Sequence, residues 1–287
     1  MITNLHSQLL SQLTPAEIHL IIEGKEAKLK DLMKYTLLDL LHKQVLAMEE
    51  VKHQPSRKDP VMLYHHIVPG PNFSTYNPLP HETVFMSPFN KSKQLNIIFR
   101  NFVAMGVDNS DGKKNYIRNF LMETPELAGY FEKGFFDILF GRIKLNQKGL
   151  RVKGEIEESI DQLERKLPDL IQNDLKNAIE ILMVVQGNIY LCKNLDFGLL
   201  QTIDKEIISQ LQSQDKNYSH FWYFEHYWPW DDFDTKYNEY FDSRYDEVET
   251  NLFDFGGDSG CSSDSSDSGC SGCSGCGGCG GCGGCGG

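Results

Sequence analysis

From Gly257 to Gly287 the chain uses only glycine, serine, aspartate and cysteine. Nothing in that stretch can anchor a hydrophobic core, and glycine loses more backbone freedom on ordering than any other residue, so residues 257–287 are expected to be a disordered tail. Folding is left to roughly the first 250 residues, enough for one large or two small cores. Charge divides along the same line. Residues 1–214 hold 25 Lys and Arg against 26 Asp and Glu, whereas residues 215–287 hold 3 against 14. The net charge of −12 therefore sits in the C-terminal quarter, which disfavours broad contact of that part with nucleic acid or an anionic membrane. The N-terminus shows no basic stretch leading into an apolar core, and no apolar run reaches about 18 residues, so no export signal or membrane span is expected. A cytoplasmic location with reduced thiols is the simplest expectation, because only Cys192 of the eight cysteines lies in the foldable part.

Helix punctuation begins at Leu13-Thr14-Pro15-Ala16-Glu17, where Thr14 can cap, Pro15 suits the first helical position and Glu17 completes a capping box. A helix over 15–23 should stop at Gly24, and a second over 26–42 aligns Leu29, Leu32, Met33, Leu37, Leu40 and Leu41 on one face. β-Prone runs at 45–51 and 61–68 follow. Helix, helix, strand, loop, strand is the order of a winged-helix unit. A similar order follows in helices over 89–105, closed by Gly106, and 115–122, a short helix from Pro125 through 135–140, and a strand and turn at 143–149. From Val152 to Val185 the pattern is helical, split at Pro168 into a charged, solvated half and an apolar core half. A short strand at 188–192 and a helix at 199–211 complete the body. The predicted fold is mainly α: a helical body with one or two winged-helix-like units built around short β-hairpins. The organisation is a winged-helix-like unit at 1–75, a helical domain at 76–213 holding the second such unit, an acidic aromatic segment at 214–256, and the tail.

The segment after Ser213 carries all three tryptophans, Trp222, Trp228 and Trp230, among many carboxylates. Aromatic side chains so dense seldom stay in water. Two readings follow: the segment folds back and latches onto the body, or it is an acidic docking site that orders on a protein partner.

The tail holds Cys261, Cys270, Cys273, Cys276, Cys279, Cys282 and Cys285, the last six in a strict three-residue step. Pairs of thiolates at this spacing can ligate zinc or copper(I), as in a metallothionein-like cluster; a zinc finger would need folded residues between its pairs. Each of the seven also follows a glycine directly. Metal binding does not require that, whereas attack of a cysteine sulfur on the preceding carbonyl is least hindered there. Cys270, Cys273, Cys276, Cys279, Cys282 and Cys285 are thus candidates for modification by a Cys-modifying enzyme. An expanded codon repeat without selected chemistry would give the same text. A capped Leu13-Thr14-Pro15-Ala16-Glu17 opening followed far downstream by the Gly-Cys repeats of Gly269–Gly287 resembles a group of uncharacterised bacterial proteins with a helical N-terminal region and a glycine- and cysteine-rich tail. Some are encoded near multinuclear non-haem iron enzymes that oxidise peptide cysteines. The resemblance implies a tail that receives modification, and it carries over no catalytic residue. Membrane-bound members have a hydrophobic span that this sequence lacks.

Histidines offer little. His65 and His66 on a strand would face opposite sides, and His220 and His226 would point apart on a helix or lie about 20 Å apart on a strand. Cys192, in an apolar context, is expected to be an inert core thiol. Lys25, Lys28, Lys30, Lys34, Lys43, Lys52, Arg57 and Lys58 make the first unit locally basic, but lysine suits phosphate better than base edges, so nucleic acid is a disfavoured partner. No zinc helix, nucleophile elbow, phosphate loop or dinucleotide fingerprint is present. The expected function is a non-catalytic carrier or scaffold presenting the tail. The alternative is a winged-helix DNA-binding regulator with a metal- or redox-responsive tail.

Overall fold

Thr14 opens the first helix as the sequence requires: its hydroxyl accepts from the Glu17 amide while the Glu17 carboxylate accepts from the Thr14 amide at 2.8 Å. A computed structural model describes residues 9–54, 56, 58, 60–90, 92, 94–132, 143–194 and 230–254, the last stretch with side chains over 232–246. Helix α1 (Pro15–Glu23) ends at Gly24, whose φ of +55° is a conformation glycine adopts without a Cβ clash. A 3-10 turn at Gly24–Glu26 takes up the residues expected to begin the next helix, so α2 runs Leu29–His42. Helix α2 lies at the centre, with Leu32, Met33, Leu37 and Leu40 fully buried and the polar Thr36 and Asp39 buried beside them.

The chain then forms an antiparallel hairpin of β1 (Leu46–His53) and β2 (Met62–Pro69), in register from Leu46 opposite Pro69 to His53 opposite Met62. Its base is buried at Leu46, Ile67 and Val68, whereas Val61, Met62 and Leu63 stay exposed near the tip. Strand β3 (Ile97–Ile98) pairs with β2 to complete a three-stranded antiparallel sheet in the order β1-β2-β3. The helix expected over 89–105 is shifted. Short helical turns over 80–90, including α3 (Thr83–Met86), precede β3, and α4 runs Phe99–Ser110. Gly106 lies inside α4 because the apolar repeat Phe99, Phe102, Val103, Val107 continues across it and the Phe85 ring packs where a side chain would stand.

Helix α5 (Gly112–Asn115) passes into a π-helical run, Tyr116–Leu121, whose Tyr116 hydroxyl meets the Thr36 hydroxyl at 2.8 Å in the core. After α6 (Pro125–Ala128), Phe131 makes one isolated bridge with Leu145. The strand and turn expected at 143–149 reduce to that bridge, and Gln147 already opens a helix capped by Asn146, whose side chain accepts from the Gly149 amide at 2.9 Å. Among the described residues no second hairpin forms. Helix α7 (Gln147–Asn173) runs through Pro168, and the break falls at Asp174, the cap of α8 (Leu175–Val185). The charged half of α7 holds the buried stripe Val152, Ile156, Ile160, Leu163 and Leu167 behind its solvated carboxylates, while Leu170, Ile171, Leu175 and Ile179 in the apolar half are only partly buried. The strand expected at 188–192 is instead a buried 3-10 run, Gln186–Leu191, entered through Gln186 at φ +49°. The helix expected at 199–211 lies outside the described residues.

Helix α9 (Trp230–Asp254) belongs to the acidic aromatic segment. Phe233, Tyr237 and Phe241, four residues apart, are buried along one side, with the Phe99 ring against Phe233 and Tyr240. Lys30 donates to Asp242 at 2.9 Å, Lys34 to Asp234 at 2.8 Å, and Arg244 makes a two-pronged contact with Asp108. Over 232–246 the segment is therefore a latch on the body. The chain divides into one compact unit to Val248 and a second from Glu249. The architecture is mainly helical, and no helix among the described residues is long and apolar enough to cross a membrane.

Candidate functional site

A helix buried on nearly every side must also bury its polar residues, and each then needs a partner. Asp39, set in Leu37-Leu38-Asp39-Leu40-Leu41, is 2% exposed and meets Lys43 one turn later, with Nζ 2.6 Å from Oδ2. The same ammonium reaches Glu82 at 3.3 Å and the Tyr76 hydroxyl at 3.1 Å. Tyr76 donates to Glu82 at 2.7 Å, and the other Glu82 oxygen accepts from the Leu79 amide. Glu17 lies alongside, accepting from Thr14 and, at 2.7 Å, from the Thr124 hydroxyl; His81 Nε2 lies 3.3 Å from the Thr14 hydroxyl. One ammonium thus serves the two carboxylates of Asp39 and Glu82, with Glu17 close behind.

Burial pushes the Asp39 carboxyl up to about 6, because it outweighs the attraction of Lys43. It raises Glu17 as well, against three hydrogen bonds that favour the carboxylate. Desolvation would lower Lys43, but Asp39, Glu82 and Tyr76 together hold it protonated and move it upward. His81, fully buried, and His42, half-buried, both near Lys43, are pushed down to about 3 by desolvation and remain neutral.

This cluster borders a cavity of about 160 Å³ between the entry turn of α1, the end of α2 and the 3-10 run at Gln186–Leu191. Gly187 comes so close to the Asp39 carboxylate that a Cβ there would collide with Oδ1. Gly187→Ala is expected to cost about 1 to 3 kcal/mol, measured by urea unfolding, because the methyl group must displace the carboxylate from Lys43. An unchanged unfolding midpoint would show that the close approach has no energetic weight.

The sequence-derived sites fall differently. Cys261, Cys270, Cys273, Cys276, Cys279, Cys282 and Cys285 lie outside the described residues, as do His220 and His226. His65 and His66 sit side by side on β2, His65 with its Nε2 3.3 Å from Glu50. Among the described residues no three His, Cys, Asp or Glu side chains gather as a metal site. Cys192 is a buried free thiol pushed up to about 12 by burial. Of the lysines that composition offers to phosphate, Lys30 and Lys34 on α2 are engaged by α9, and Lys43 just past its end by the buried carboxylates. The buried cluster went unread in the sequence, although an aspartate amid four leucines with lysine at i+4 was its visible trace. Compared with protein-family models, curated proteins and solved structures, the chain matches none.

Proposed function

We propose that the folded part is a non-catalytic scaffold that presents the Gly-Cys tail for soft-metal binding or for enzymatic modification of its Gly-Cys units. The observation that carries this reading is α9. Three buried aromatic residues and three ion pairs fasten it to the body, and in sequence it ends at Asp254, shortly before Cys261. In sequence the fastened stretch, 232–246, lies upstream of the Gly-Cys segment. The body's own thiol supports the same division of labour: Cys192 is buried and protonated, so reactive sulfur is left to the seven tail cysteines. On this reading α1, α2 and the hairpin form a winged-helix-like unit used for protein contact, the protein works in the cytoplasm, and zinc or copper(I) is the metal.

Intact and native mass spectrometry of the full chain, beside a chain ending at Asp258, tests it. Protein from its native host is expected to lose one water, alone or with two hydrogens, per modified cysteine. Unmodified protein is expected instead to take up zinc or copper(I) only when the tail is present. The absence of both a mass change and tail-dependent metal uptake would overturn the proposal.

The rival reading, a DNA-binding regulator with a responsive tail, has the exposed hairpin lysines Lys52 and Lys58 in its favour. The pairing of Lys30 and Lys34 with α9 counts against it. Salt-sensitive binding of the full chain to random duplex DNA would favour the regulator.

A further inference from the structure

The outer half of the β1-β2 hairpin leaves the body. Leu46 and Ile67 hold its base in the core, but from Glu49 to His53 on β1 and from Met62 to His66 on β2 no residue is buried. An arm so exposed should end in polar residues. Instead Val61, Met62 and Leu63 run consecutively with relative exposures of 59%, 49% and 47%. Met62 and Leu63 are neighbours on one strand and point to opposite faces of the arm, so its apolar end is two-sided. The charge beside it is positive. Lys52 stands opposite Leu63 in the register and Lys58 lies in the loop, both exposed, and residues 51–64 hold three Lys and Arg against one Asp in a chain of net charge −12. Tyr64 follows one step behind, half-buried, its ring edge-on to His53 at 6.0 Å and its hydroxyl donating to Met62 Sδ at 3.6 Å. Negative charge on β1 begins only at Glu50, about 7 Å nearer the body than Lys52.

We propose that this arm docks the protein on an anionic lipid bilayer, with Val61, Met62 and Leu63 entering the headgroup boundary and Lys52 and Lys58 set against the lipid phosphates. A flat, rigid protein surface would cover one face of the arm and leave the other wet, whereas a bilayer closes around both. Interfacial anchoring gains from buried apolar surface and from the attraction of basic side chains together, and the tip combines the two. Tyr64, apolar in its ring and polar at its end, suits the depth between them. Glu49 and Glu50 are repelled by the same headgroups, so entry stops at the tip. The contact is peripheral and needs no spanning helix. It is also independent of the tail, and stands whether or not the Gly-Cys units bind metal or are modified.

Sedimentation of the full chain with lipid vesicles, under reducing conditions, tests the proposal. Vesicles of phosphatidylcholine mixed with phosphatidylglycerol are expected to bind it at least about tenfold more tightly than vesicles of phosphatidylcholine alone, with the difference shrinking as salt rises. Met62→Ser with Leu63→Ser, and separately Lys52→Gln with Lys58→Gln, should each weaken that binding by about tenfold or more. Lys25→Gln with Lys28→Gln, at exposed lysines away from the hairpin, should leave it unchanged. All six side chains are exposed, so an unaltered urea midpoint certifies each variant as folded, and if one tip pair shifts it the other pair decides. No sedimentation with either vesicle would leave the tip to a protein partner and overturn the proposal. Equal binding to the two vesicles would remove the role of charge, and undiminished binding by the serine pair would remove the apolar tip, with the same consequence. An equal loss in the Lys25 and Lys28 variant would show diffuse attraction and not docking by the arm.

Discussion

Acidification from pH 7 to pH 5 is expected to destabilise the folded body by about 2 to 3 kcal/mol, with His42 and His81 responsible. His81 is fully buried and His42 partly so, and burial lowers both from an ordinary 6.5 to about 3. Between those values the unfolded chain binds protons that the folded chain refuses, so stability falls as pH falls through the window. Each histidine accounts for about 2 kcal/mol by pH 5, and His19, lowered mainly by burial, acts in the same direction. Asp39 works the other way. Its folded carboxyl, raised from 3.8 to about 6, takes its proton before the unfolded one does and returns about 1 kcal/mol over the same interval. Glu17, also raised, adds to that return. The histidines outweigh the acids because the shifts of His42 and His81 are each larger than that of Asp39, and His19 adds to them. Urea unfolding at pH 7, 6 and 5 checks the expectation, with His42→Gln and His81→Gln together flattening the profile and Asp39→Asn steepening it. A stability that is level or rising toward pH 5 in the unaltered chain would show that the two rings are hydrated or already charged.

Tyr237→Ala should cost about 3 to 5 kcal/mol and free α9 from the body. Tyr237 is fully buried, stacks at 6.0 Å between Phe233 and Phe241, and its hydroxyl donates to the Lys30 carbonyl at 3.1 Å. Removing the ring opens a cavity in the middle of the aromatic row and also strands the flanking ion pairs, which contribute little once solvated. Tyr237→Phe, which loses only the hydroxyl, should cost about 1 kcal/mol and leave α9 in place. Limited proteolysis within 230–246 separates the two variants. Freed Lys30 and Lys34 should also give the alanine variant a salt-sensitive affinity for heparin that the parent lacks. Continued protection of α9 in the alanine variant would mean that the latch does not depend on its aromatic row.

Much of the body was legible where local chemistry decides. Thr14, Pro15, Glu17 and Gly24 act on residues within one turn of themselves, and α1 has the predicted limits. The hairpin came within two residues of its expected bounds, since β-prone runs on either side of a Pro-rich turn have few alternatives. Misjudgements arose where packing overrode local preference. Gly106 reads locally as a helix stop, but Phe85 needs the space of its missing side chain. Pro168 splits the helical pattern in the sequence, yet α7 continues with Leu163 and Leu167 buried just ahead of it. Asn188 to Cys192 reads as a strand because buried 3-10 and β runs share an apolar composition. Least legible was the cluster around Lys43, because Glu17, Asp39 and Glu82 come from three separate elements and only the tertiary fold brings them together.

Among the described residues the order β1-β2-β3 leaves β1 as an outer border of the sheet, eight residues long and paired on one side only. A bare row of amides and carbonyls of that length invites a second chain to add a strand, and repeated addition leads to fibrils. Glu49, Glu50 and Lys52 stand along this border and place charge on both of its faces. Any approaching copy would bring the same carboxylates against them, so the projecting arm carries its own safeguard against self-association.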